Sequence, residues 1–177
     1  MQDYIEIAEK NGIILRDTGP CQFCGADTKR GIHECLEIFN LSFQGIEYAR
    51  PEHPIFRFLV VDAHALQHPE IHGRWSNHFH LTRLHLIFKF DVKWTYNASP
   101  ALSDHLSRYK VHKQDEHWLP PKALDRGSIT STDVLKNATF GDGNKELVID
   151  WAKEVYSKWD THHAVADTIA KGFLENK

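Results

Sequence analysis

The segment CQFCGADTKRGIHEC, residues 21–35, contains all three cysteines of the chain and one histidine. Two thiolates three positions apart can share one ion only where the chain turns sharply between and after them. Gly25 follows the pair and relieves the strain of that turn. Zinc takes four tetrahedral ligands, usually sulfur or nitrogen. Cys21 and Cys24 supply two, and Cys35 supplies a third at the start of a predicted helix. No cysteine remains, so the fourth ligand falls to a histidine or a carboxylate. His33 is close in sequence, but it stands two residues before Cys35, where the chain is turning into a helix. His68 stands where Pro69 ends a predicted helix, so its ring projects past the helix end. The expectation is a Cys3His zinc site of Cys21, Cys24, Cys35 and His68, with His33 as the competing fourth ligand. Scattered core thiols rarely fall as CxxCG with a third cysteine nearby. A redox CxxC normally opens a helix after a strand in a βαβ unit, and that pattern is absent.

The rest of the chain reads as helix. The sequence has 177 residues, enough for one domain with a real core, and 41% hydrophobic against 25% charged residues is ordinary for a globular protein. The expected architecture is mainly α, a single domain over residues 1–177, with a small metal-binding knuckle at 12–36 and a helical body at 37–177. QDYIEIAEKNG predicts a short helix closed by Gly12. Leu36, Phe39, Phe43 and Ile46 step at helical intervals until RPEHP interrupts them. A helix over about Pro54 to His68 turns Phe56, Leu59, Val60 and Ala63 inward. Ser76 is placed to cap the next, with Phe79, Leu84, Ile87 and Phe88 on its apolar side. SPALSDHLSRY opens with a serine cap and a proline at the first helical position, and Thr130 with Asp133 has the spacing of a capped short helix. FGDGN is a turn. Leu147, Trp151, Val155, Trp159, His162, Ala166, Ile169 and Phe173 predict one long C-terminal helix.

The 13 histidines crowd the middle of the chain. His64 and His68 lie one turn apart on a helix, the spacing that lets two imidazoles hold one ion. His80 falls with Leu84 and Ile87 and should face the core. His53, His72, His105, His112 and His117 read as solvated or hydrogen-bonded residues. His162 interrupts an apolar stripe and Asp62 an apolar run, and buried polar groups need partners. The natural pairing joins Asp62, His80 and His162 between packed helices.

Several strings carry a family resemblance: CQFCGA, the cysteine of HECLEIF, VDAHALQHP, HLTRL, TSTDV and WAKEVYSKWDTHH. The chain resembles, over roughly residues 18–166, an uncharacterised bacterial domain family of unknown function and similar length. The resemblance implies that Cys21, Cys24, Cys35, Asp62, Gln67, His68, Pro69, His80, Trp151, Trp159 and His162 belong to a shared pattern. The spacer between Cys24 and Cys35 is shorter than that pattern, and His64 stands where an aromatic residue is expected. No activity follows from the family.

Function can be bounded. A net charge of -3 argues against a broad electrostatic grip on nucleic acid or anionic lipid. No apolar run reaches the ~18 residues of a membrane span, and no signal segment opens the chain. Three cysteines that do not form a paired disulfide framework suit a reducing cytoplasm. The expectation is a cytoplasmic protein with structural Zn2+ and an accessory or binding role toward a protein or small-molecule partner. The rival is a metal-dependent hydrolase-type enzyme whose catalytic residues are Asp62, His80 and His162.

Overall fold

The computed structural model describes residues 4–49, 54–109, 120–136 and 145–176. Among the described residues there are eight α-helices: α1 (Tyr4–Lys10), α2 (Gly31–Ala49), α3 (Pro54–Gln67), α4 (Arg74–Phe88), α5 (Ala98–Tyr109), α6 (Ser131–Lys136), α7 (Lys145–Lys158) and α8 (His163–Glu175). No strand occurs among the described residues; one isolated parallel bridge joins Gly19 to Arg30. The mainly α expectation holds. None of the described helices is long and apolar enough to cross a membrane. His53, His112, His117 and the FGDGN turn lie outside the described residues.

Sequence explains some of the helix ends. Gly12 adopts φ 71 after α1, and the Ile13 amide bonds back to the Ala8 carbonyl across it. Thr130 stands before α6, its amide and hydroxyl both bonded to Asp133 Oδ2. Two starts differ from expectation. Helix α4 begins at Arg74 with Gly73 as its cap, two residues before Ser76. Helix α5 begins at Ala98, which leaves Pro100 inside its first turn, and Ser99 Oγ is occupied by Arg83 and Trp94.

Helix α3 packs against α2, α4 and α7, while α4 packs against α5, α7 and α8. Leu59, Val60, Ala63 and Leu66 of α3 meet Leu81, Leu84 and Leu86 of α4 in the main core. Every residue from Leu81 to Ile87 is buried, so α4 shows no clean polar face. That burial encloses Thr82, Arg83 and His85, which therefore need partners inside the protein. A second core gathers Ala8, Phe23, Ala26, Ile32 and Ile71 around the three cysteines.

The apolar stripe from Leu147 to Phe173 does face inward, but it lies on two helices. A short 3-10 turn at Asp160–His162 separates α7 from α8. The Trp159 and His162 amides bond three residues back, to Tyr156 and Trp159. The three-residue step from Trp159 to His162 fits a 3-10 turn as well as an α-helix, so the periodicity runs through the break unaltered. The break lets α7 follow α3 and α8 follow α4.

Candidate metal centre

The knuckle is a tight loop closed on itself. The Gly25 amide donates to the Cys21 carbonyl and the Cys21 amide to the Ala26 carbonyl, at 2.9 and 3.0 Å. Gly25 takes φ 77, the left-handed conformation that the turn requires. Gly31 is more constrained still: at φ 55, a Cβ there would lie 2.1 Å from the Arg16 carbonyl oxygen. Thr28 Oγ1 bonds the carbonyls of both Gly19 and Gly31, pinning the loop base. Glu34 then accepts the Lys29 and Arg30 amides at the start of α2, which holds its carboxyl below the usual range. This frame presents Cys21 and Cys24 from the loop and Cys35 from the start of the second turn of α2.

The fourth donor arrives from His68, the residue that follows α3. Cys21, Cys24, Cys35 and His68 place one ligand atom each within 4.8 Å of one another, and all four are buried. His68 Nε2 lies 3.4 Å from Cys21 Sγ and 3.5 Å from Cys35 Sγ, and Cys24 Sγ lies 3.7 Å from Cys35 Sγ. With metal–sulfur bonds of about 2.3 Å and metal–nitrogen bonds of about 2.05 Å, a tetrahedral shell separates sulfurs by about 3.8 Å and sulfur from nitrogen by about 3.6 Å. The donor set and its spacing therefore fit a single metal ion.

Orientation of His68 is fixed by its surroundings. Its Nδ1–H donates to the His64 carbonyl at 2.6 Å, which leaves the Nε2 lone pair facing the sulfurs. Phe23 meets the His68 ring edge-on, and His64 stacks against it at 4.1 Å with Phe39 behind at 4.0 Å. Ser131 Oγ at the start of α6 lies 3.8 Å from Cys35 Sγ and can donate to the thiolate. His64 Nε2 stands 3.9 Å from Cys35 Sγ, yet His64 is outside the close four-atom group. The two histidines one turn apart thus stack rather than converge on one ion. His33 turns away to bond Tyr4 Oη and is not in the group either.

The cluster's electrostatics suit a cation. Hydrogen bonds from Cys24 and then Cys35 hold the Cys21 thiol far below its ordinary value, against burial, and His68 adds to the effect. Cys24 moves up, because Cys21 and Cys35 and then burial all oppose a second charge. Burial pulls His68 down, but the charges of Cys35 and Cys21 override it and raise the ring to about 10. Both shifts favour positive charge on the ring beside negative charge on sulfur, and a bound cation would take the place of the ring's proton.

The residues around His68 form a second layer. Gln67 Nε2 donates to the Arg126 and Ile129 carbonyls, and its Oε1 accepts the Trp151 indole N–H at 3.1 Å. Trp159 donates to the Leu66 carbonyl at 3.1 Å. Arg126, 1% exposed, bonds Glu70 through both terminal nitrogens and also the Gln67 and Pro121 carbonyls. The LQHP string thus ties α7 and the 121–129 loop to the helix end that carries His68. Arg126 was not anticipated from sequence; Glu70, an acid just after the proline that ends α3, was the available hint. A half-open cleft of about 340 Å³ adjoins Cys24, lined by residues that include Asp27, Leu124, Thr130 and Thr132.

The other candidate residues are divided. Asp62 is fully buried on α3 and its Oδ1 accepts His80 Nδ1 at 2.7 Å. Sequence reasoning missed the stronger partner: Arg83 grips both Asp62 oxygens through Nε and Nη2, at 2.8 and 2.5 Å. The guanidinium lies over the Phe58 and Phe79 rings at 4.6 and 4.8 Å and donates to Ser99. An acid within an apolar run calls for a buried cation, and Arg83 is the cation nine residues into α4. His162 is buried as expected, 7% exposed, but its ring lies against Trp159 and its Nδ1 is 3.0 Å from Thr161 Oγ1. Asp62, His80 and His162 form no metal-ligand group among the described residues. No curated protein and no solved structure matches the chain. A family model described as a family of unknown function (DUF5946) matches residues 19–160, from the turn before Cys21 to the end of α7 and beyond Trp159, and the chain belongs to that family.

Proposed function

We propose that the cluster binds one zinc ion, that the ion is structural, and that the protein has a binding or accessory role in the cytoplasm. Four protein donors complete a tetrahedral shell and leave no position for water, which is the mark of a structural rather than a catalytic site. The observation that carries this reading is His68 joining the three thiolates from the end of α3. An ion held there staples the knuckle to the helical body. The cleft beside Cys24 is the natural seat for a small-molecule or peptide partner. The test compares zinc affinity in His68→Ala and His33→Ala. The first should lose zinc and the second should bind as wild type. Loss of zinc in His33→Ala alone would overturn the assignment.

The Asp62–His80 pair supports a second reading, a metal-dependent hydrolase. A buried carboxylate that accepts His80 Nδ1–H leaves the Nε2 lone pair free, either to take a proton or to ligate a metal ion, on a side chain 12% exposed. In that reading Asp62 positions His80, and His162 acts from the turn after α7. Hydrolysis of a generic ester or phosphate that disappears in His80→Gln, while the thiolate centre keeps its zinc, supports it.

A further inference from the structure

We propose that His72 and His80 form a second metal site, open to water, for a divalent transition cation. It lies outside the thiolate cluster and rests on the hydrolase reading for its chemistry alone, not for its geometry. Three observations carry it. The two rings are neighbours, with centroids 6.2 Å apart and planes inclined at 64°. Two imidazoles bound to one ion through Nε2 have centroids about 5.2 Å apart at the tetrahedral angle and at most about 6.4 Å apart, given metal–nitrogen bonds of about 2.0–2.1 Å. The observed 6.2 Å lies within that reach, near its upper end, and corresponds to a nitrogen–metal–nitrogen angle of about 150° rather than the tetrahedral one.

His72 Nε2 is buried and has no hydrogen-bond partner among the described residues. Native structures rarely leave a buried nitrogen unsatisfied, and a missing ion is one of the standard reasons. His80, in turn, is held as metal-ligating histidines are held. Its Nδ1 donates to the buried Asp62 carboxylate, which fixes the ring and leaves Nε2 as the lone pair. Arg83 bonds both Asp62 oxygens, sharing Oδ1 with His80, and so holds the carboxylate in place beside the His80 ring.

The segment's path explains how the two sites sit so close without merging. His68 follows the last residue of α3 and faces the cysteines. The 3-10 turn Pro69–Ile71 then carries the chain to His72, and α4 returns with His80. Ile71, 2% exposed, packs in the cysteine-lined core while His72 meets His80. Two imidazoles leave the remaining coordination positions to water. That is the arrangement in which a metal lowers the pKa of bound water, and the thiolate centre lacks it.

The probe is Co2+ alone. Metal-free wild-type protein should take two equivalents. One should show thiolate-to-cobalt charge transfer, and the other should lack it and show only nitrogen and oxygen ligation. His72→Ala and His80→Ala should each lose the second equivalent, with at least a tenfold weaker affinity, and keep the charge-transfer band that reports a folded thiolate centre. Wild type stripped by a mild chelator to one zinc, at the thiolate centre, and then given one equivalent of Co2+ needs no substitution. X-ray absorption at the cobalt edge should then count two imidazoles. A single equivalent in wild type, a second equivalent that survives either substitution, or fewer than two imidazoles at the cobalt edge would overturn the site. Loss of the charge-transfer band in wild type would overturn the thiolate centre instead.

Discussion

Replacing Arg83 by methionine tests whether Asp62 is primarily a structural acid. The Asp62 carboxylate has 0% exposure and two oxygens shared between Arg83 and His80. Arg83→Met keeps much of the side-chain volume against Phe58 and Phe79 but removes the cation, stranding a buried charge. Breaking a buried pair from one side costs about 3–5 kcal/mol. Against a typical domain stability of about 5–15 kcal/mol, that is a large share. At about 2–4 °C per kcal/mol for a chain of this size, Tm should fall by roughly 6–20 °C. The double variant Asp62→Leu, Arg83→Met should recover most of the loss, because removing both charges leaves only His80 Nδ1 in need of a partner, at about 1–3 kcal/mol. Urea unfolding of zinc-saturated protein followed by circular dichroism measures both. A single variant within about 1 kcal/mol of wild type, or a double variant as unstable as the sum of the singles, would refute the reasoning.

Two further outcomes follow from the same structure. Cys24→Ser should release zinc and lower Tm, since metal-binding energy at a structural site is folding energy; inductively coupled plasma analysis beside calorimetry checks both, and unchanged metal content rejects the site. His162 is held below its ordinary value chiefly by burial and by the neighbouring His163. The unfolded chain therefore binds a proton that the folded ring resists, and stability should fall as pH drops below about 6.5. The slope of Tm between pH 7.5 and 5.5 should be shallower in His162→Gln, and an unchanged slope would count against a buried neutral ring.

The Cys3His cluster was legible because its signal is local. CxxCG demands a turn that only a few backbones make, and Gly25 at φ 77 makes it. His68 was reachable by the same logic, since Pro69 ends α3 and leaves the preceding side chain at a helix end. Tertiary partners were not legible. Arg83 stands among leucines and histidines in a helix that looks half solvated, and only the packing of four other helices around α4 buries it. His72 reads as a surface histidine because no local pattern records that α4 folds back over it. The break at Asp160 was invisible because an inward stripe continues unchanged through a 3-10 turn. Periodicity reports which side chains face the core, not whether the axis that carries them is straight.

The central claim is that Cys21, Cys24, Cys35 and His68 hold one zinc ion in a closed tetrahedral shell. X-ray absorption at the zinc edge of untagged wild-type protein, with metal counted per chain, tests it most directly. Because the proposed His72–His80 site can also take zinc, the second equivalent is first removed with a mild chelator. The remaining ion should then show three sulfurs at about 2.3 Å and one imidazole nitrogen at about 2.0–2.1 Å, with no bound water. Protein that carries no transition metal, or a tightly held ion with fewer than three sulfurs, would contradict it.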